Sequence, residues 1–176
     1  MPHIIKEAQG HPAAILKYKG IMDYNGLSTY IIRWLLDRHY EVDERTQKHK
    51  MSCPHGFEIE REIKAYRDIT DFYRYEVKIF MHLWDASEVD AVKQGKKVKL
   101  WNARIEVQFH FDVVCDYANK WGTNPFFEKL LKKVFCEYVI KKEIIIKHAD
   151  PLYYKLLGLH SDLKKFFGME TATKFM

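Results

Sequence analysis

The chain is poor in the residues that mark several familiar classes. Its 176 residues include 3 cysteines, 5 prolines and 8 glycines. Cys53, Cys115 and Cys136 are odd in number and far apart, so they form no disulfide framework, as expected in a reducing compartment. So little proline and glycine excludes a collagen-like or low-complexity chain. No uninterrupted apolar run exceeds four residues, against the roughly 20 that a membrane-spanning helix needs. Met1 to Gly10 contains no stretch resembling a secretion signal. The expectation is a cytoplasmic protein without a membrane span. A glycine-rich phosphate loop, a Gly-x-Ser-x-Gly elbow and a His-Glu-x-x-His helix are missing too. No catalytic residue or cofactor is therefore assigned, and binding is favoured over catalysis.

What the chain does have is ring surface and charge. Its 11 Phe, 11 Tyr and 4 Trp require a core to hide in, and 47% hydrophobic with 30% charged residues suits a globular fold. One domain is expected over 1–176, with its core in 14–167 and flexible ends at 1–12 and 169–176. The net charge of +5 is concentrated late: ten lysines face six acids between Pro125 and Met176. Such a bias keeps a protein soluble and is compatible with a polyanionic partner.

Apolar periodicity sets out the elements. Leu16, Tyr18, Met22 and Tyr24 alternate with lysines and Asp23, predicting a strand over Ala14 to Tyr24. Leu27, Tyr30, Ile31, Trp34 and Leu35 recur at helical spacing, predicting a helix over Leu27 to Arg38 capped by Asn25 or Ser28. Tyr40 to Lys50 reads weakly as an edge strand, and Phe57 to Arg67 as a strand with Glu58, Glu60 and Glu62 on its polar side. The clearest strands have odd-numbered apolar faces, Tyr73 to Leu83 and Trp101 to Tyr117. A two-residue turn at Gln94-Gly95 would pair residues summing to 189, setting apolar against polar positions. An odd-length connection or a bulge between Leu83 and Val98 is therefore required, and a sum of 190 is predicted. That register places Arg74 opposite Asp116, Lys78 opposite Asp112, His82 opposite Gln108 and His110 opposite Phe80.

After Gly122, Asn124-Pro125 opens a long helix through Phe126, Leu130, Phe135, Tyr138 and Val139 towards His148. Asp150-Pro151 repeats the cap-and-proline pattern and predicts a second helix carrying Leu152, Leu156, Leu159, Leu163 and Phe166 to Gly168. The fold class expected is α+β: a curved antiparallel sheet packed on a long C-terminal helix, with an additional C-terminal helix.

Each polar cluster has a plain reading. Cys53-Pro54-His55 is a turn, because no second Cys/His pair stands at finger-like spacing, and no metal site is assigned. Three glutamates at every second position suit a solvated sheet face. Lys96, Lys97 and Lys99 beside Trp101, with Arg104 farther on, interleave charge with a stacking ring in a manner suited to single-stranded nucleic acid.

The order strand, helix, antiparallel strands, then a long helix introduced by Trp121-Gly122-Thr123-Asn124-Pro125 resembles the START and polyketide-cyclase helix-grip superfamily over Ala14 to Ile146. The likeness is one of topology, with no family motif. It implies an apolar cavity between sheet and helix, lined by Tyr75, Met81, Trp101, Phe109 and Tyr117 together with Phe135 and Tyr138. Three partners follow as expectations. The first is an apolar small molecule or lipid in that cavity, and the second is nucleic acid or a ribosomal surface on the lysine-rich side. The third is another protein chain against the 151–167 helix.

Overall fold

The computed structural model describes residues 3–5, 12–53, 56–93, 96–118, 134 and 139–169. The alternation around Leu16 forms strand β2 (Ala14–Met22), which follows β1 (His3–Ile5). Asp23 separates β2 from helix α1 (Tyr24–Leu36), and its Oδ1 accepts a hydrogen bond from Gly26 N at 2.8 Å. The helix thus begins at Tyr24 rather than Leu27, capped by Asp23 rather than Asn25 or Ser28. Ser28 lies inside it and donates to Tyr24 O at 3.0 Å. Leu27, Ile31, Trp34 and Leu35 are buried, the stripe that the spacing predicts. His39, at φ 60°, turns the chain into β3 (Glu41–Cys53), which is a full edge strand despite its weak signal.

β4 (Gly56–Asp68), β5 (Tyr73–Lys93) and β6 (Lys96–Cys115) continue an antiparallel meander in the order β3-β4-β5-β6. β1 and β2 follow one another along the remaining edge of β6, His3–Ile5 beside 113–115 and Ala14–Met22 beside 101–109. The sheet is open, with β3 on one edge and β2 on the other. Residues 85–93 and 96–97 add no separate strand but lengthen β5 and β6 into one arm.

The register settles the parity problem with one extra residue on β5. At the tip, Lys93 pairs with Lys96. Past a bulge between Trp84 and Ser87, Val77 pairs with Phe111 and Ile79 with Phe109, so the numbers sum to 188. The predicted even sum is present, but its value is not 190. Parity demands an extra residue without saying which strand carries it, and an insertion on β6 would have produced 190. Consequently Arg74 faces Val114, His82 faces Glu106 and His110 faces Lys78. Lys78 still reaches Asp112, diagonally, with Nζ 3.0 Å from Oδ2.

β4 meets the same bulge, for Phe57 pairs with Ala86 while Ile59 pairs with Leu83. Asp85 adopts φ 54° there, and Gly56, at φ 137°, packs directly on it. A Cβ on Gly56 would lie 2.8 Å from the Asp85 carbonyl carbon and 2.9 Å from Ala86 O.

The C-terminal segment is helical from Lys141 to Phe166: α2 (Lys141–Ile144), a single π turn (Ile145–Ala149) and α3 (Asp150–Phe166). No break occurs at Asp150-Pro151, where a new cap was expected, and no side chain caps α3. Proline lacks an N–H and its ring crowds the carbonyl four residues back. The preceding turn is wider, with Asp150 N–H bonded to Ile145 O, and the helix passes through the proline without a stop. Leu152, Leu156, Leu159 and Leu163 are buried, and α3 packs on β2, β6 and α1. Gly168, at φ 64°, ends the helix, with Gly168 N bonded to Lys165 O and Met169 N to Lys164 O, both at 2.9 Å. The expected 121–125 loop and most of the expected 126–139 helix lie outside the described residues. Within the expected helix, the described Val134 and Val139 are exposed.

Candidate functional site

On the helix-facing side of the sheet the predicted pocket residues divide. Met81 and Phe109 are each 0% exposed and Tyr75 is 6% exposed, members of one continuous core. Trp101 is partly buried against that core, opposite Glu88 and Met22. Phe135 and Tyr138 lie outside the described residues. Tyr117 leaves the group altogether: β6 ends at Cys115, and Asp116, at φ 50°, breaks the alternation. The Tyr117 ring stands 4.2 Å from the Arg74 guanidinium, which also lies over Tyr66 and is bonded through both Nε and an NH2 group to Asp68.

Tyr75 has a partner the spacing did not reveal. Its hydroxyl lies 3.0 Å from Nδ1 of His148, a residue of the π turn, and the Tyr73 ring lies tilted against the same imidazole, with centroids 4.3 Å apart. Burial raises the Tyr75 phenol above its ordinary pKa and lowers the His148 imidazole below its own. The nearby Tyr40 is pushed up to about 12, again chiefly by burial. Both members of the pair are therefore neutral at pH 7, and the hydroxyl–Nδ1 hydrogen bond ties the sheet to the C-terminal helix.

A depression of about 520 Å³ opens where the end of β2, the β5–β6 arm and the end of α3 meet. Ile21, Ala91, Val98, Leu100, Phe166 and Phe167 line it, with Asp23 also in the lining. Past the bulge the β5 alternation is offset, so Val89 pairs with Leu100 and Ala91 with Val98 to give the arm an apolar face. Ile21 is 55% and Phe166 40% exposed, and Tyr18 stacks on Phe167 with ring centroids 4.5 Å apart.

The expected basic surface is not assembled as the sequence suggests. Lys99 and Trp101 share one side of β6 while Arg104 occupies the other, and the side chains of Lys96 and Lys97 lie outside the described residues. Lys99 is paired with Glu88 at 3.0 Å. Arg104 instead joins Lys17, Lys19 and Trp84 around a second depression, of about 490 Å³, on the sheet face away from α3. Arg104 is held by Asp85 at 2.8 Å and Lys17 by Glu106 at 3.0 Å. The Gln108 amide and Lys17 keep the Glu106 carboxyl below the ordinary carboxylate range. Trp84, which the sequence pattern did not single out, stacks on His82 at 3.9 Å.

The three glutamates of β4 do not behave alike. Glu62 pairs with Lys64 at 3.2 Å, as a solvated face would, whereas Glu58 and Glu60 converge on His82. The leucines expected to meet another chain, Leu152, Leu156 and Leu163, are buried in this chain's own core, and Phe166 is the exposed member of that set. No family model, curated protein or solved structure matches this chain.

Proposed function

We propose that the protein binds an apolar small molecule or lipid chain in the seam between the sheet and α3. The observation that carries this reading is the depression of about 520 Å³, within the roughly 300–1,000 Å³ typical of small-molecule sites. Support also comes from the element order, with β2 beside β6 and a C-terminal helix on one face of the sheet. The binding residues differ from those the resemblance implies, because among the described residues it is α3 that packs on β2 beside the depression. Met81 and Phe109 serve the core, and Ile21, Leu100 and Phe166 serve the ligand. Asp23, whose Oδ1 caps α1, would favour a ligand with a hydrogen-bond donor at one end.

Fluorescence titration with N-phenyl-1-naphthylamine tests the reading. Ile21→Asp and Phe166→Asp should each weaken binding by about 10- to 100-fold, the equivalent of losing roughly 1.5–3 kcal/mol of apolar contact. Probe affinity unchanged in both variants would remove the seam as the site. A second reading, binding of single-stranded nucleic acid, is favoured by the cleft of Lys17, Lys19, Arg104 and Trp84. Its test is anisotropy with labelled oligouridylate: Lys19→Glu and Trp84→Ala should weaken a salt-sensitive complex, and equal affinity for all three proteins would end it.

A further inference from the structure

On the sheet face away from α3, Glu60 and His82 are direct cross-strand partners. Glu58 would ordinarily face the next rung, but it lies across from the β5 bulge, where two residues, Trp84 and Asp85, stand opposite this single position. Such bulges re-aim side chains. The result is that Glu58 Oε1 comes 2.6 Å from His82 Nε2, while Glu60 Oε1 lies 3.9 Å from the same nitrogen. All three donor atoms fall within 4.8 Å of one another. The side chains are 16–27% exposed, sheltered but reachable from solvent. Trp84 stacked at 3.9 Å and Phe80 edge-on at 6.0 Å fix the plane of the imidazole, so its nitrogen stays directed at the carboxylates.

We propose that Glu58, Glu60 and His82 form a three-ligand site for a divalent transition ion of the Zn²⁺ type. One imidazole nitrogen with two carboxylate oxygens is a donor set that suits zinc or cobalt, whereas magnesium and calcium take oxygen alone. Metal–donor bonds near 2.0–2.2 Å in a tetrahedron require donors about 3.4 Å apart. Relative to His82 Nε2, Glu58 Oε1 therefore retreats and Glu60 Oε1 advances by less than about 1 Å each, within the reach of a glutamate side-chain rotation. Three protein ligands leave a fourth position for water or a substrate oxygen, the arrangement of reactive rather than structural zinc sites. Glu106 faces His82 from the other side, but Gln108 and Lys17 already hold it, and it is not counted as a ligand.

The test is titration of chelator-treated protein with Zn²⁺ by calorimetry and with Co²⁺ by visible absorption. One equivalent should bind, with ligand-field bands of four- or five-coordinate Co²⁺, and excess Mg²⁺ should not compete. Glu60→Gln and His82→Gln should each weaken binding about tenfold or more. His110→Gln, on the same face but outside the cluster, should retain it, which separates the site from adventitious binding to surface histidines. Where His82→Gln fails to fold, as circular dichroism would show, Glu60→Gln decides alone. The proposal is overturned by the absence of a saturable one-equivalent phase, by undiminished affinity in Glu60→Gln, or by equal loss in His110→Gln.

Discussion

Two glycines in this chain should respond to alanine in opposite directions. Gly56 sits at φ 137°, where a side chain is strained, and its added Cβ would meet backbone atoms of Asp85 and Ala86 at 2.8–2.9 Å. Backbone strain of this kind costs about 1–3 kcal/mol. Neither contact atom belongs to a flexible side chain, so the bulge must move as well. Gly56→Ala should therefore cost about 2–4 kcal/mol, a large part of the roughly 5–15 kcal/mol that holds a domain folded. Gly158 lies in α3 with nothing within 4 Å of an added Cβ. There alanine should stabilise by about 0.5–1 kcal/mol, by lowering the entropy of the unfolded chain. Equilibrium urea unfolding followed by circular dichroism reads both, with equal m-values showing that the unfolded states are comparable. At this chain length Gly56→Ala should lower Tm by about 4–16 °C. A Gly56→Ala protein within 0.5 kcal/mol of the parent would refute the packed bulge, and a destabilised Gly158→Ala would refute an open surface on that side of α3.

Further outcomes follow from the core and its polar groups. Leu159→Ala, at a fully buried position of α3, should cost about 2–5 kcal/mol in urea unfolding, while Tyr154→Ala on the exposed side should cost under about 1. Tyr75→Phe removes the hydrogen bond shared with His148 Nδ1 and should cost about 1–2 kcal/mol, a loss that His148→Phe combined with it does not double. Acidification below about pH 6.5 should weaken the fold. Burial is the first cause that lowers the imidazoles of His110, His148 and His160 below 6.5, opposed by Asp112 at His110 and Glu143 at His148. The unfolded chain takes up protons near pH 6.5 while the native chain resists, so this stability is full above that pH and is lost on descending from it. A urea midpoint equal or higher at pH 5.5 than at pH 7.5 would contradict this.

Much of the sheet was legible because its signal is local. Odd-numbered apolar positions over Tyr73 to Leu83 predicted a buried face, and Tyr75, Val77, Ile79, Met81 and Leu83 are in the core with Tyr73 partly buried against it. Periodicity required an odd-length connection or a bulge between Leu83 and Val98, and a bulge is what sets Ile79 beside Phe109. It could not say which strand carried the extra residue, because an insertion on either one restores parity. Asp150-Pro151 misled for a different reason. The pair looks the same at a helix start as inside a helix whose preceding turn has widened, and the bond from Asp150 N–H to Ile145 O leaves no trace in residue spacing. β3 was faint because an edge strand needs fewer apolar residues than a central one. The candidate sites were less legible than the fold. Lys96 to Arg104 looked like one surface along the chain, yet β6 sends Trp101 and Arg104 to opposite faces. Phe166 and Ile21 are remote in sequence, and only the docking of α3 beside β2 brings them to one depression.

A single inserted residue on β5 links several of these features. Without it, β5 would keep the register of the tip, and the apolar face of 73–83 would meet the polar face of β6. With it, Asp85 takes a left-handed conformation that leaves its carboxylate on Arg104, at the rim of the cationic cleft. Trp84 is set between that cleft and His82, and Glu58, opposite two residues of β5, turns to the imidazole. The arm beyond the bulge presents Ala91 and Val98 to the seam under Phe166. Gly56 is the residue whose missing side chain lets β4 approach this irregularity. The repair of the sheet and the placement of all three candidate sites therefore share one structural cause. Gly56→Ala should disturb Co²⁺ coordination by Glu58 and His82 as well as stability, whereas a site built on regular strand alternation would respond only to loss of its own ligands.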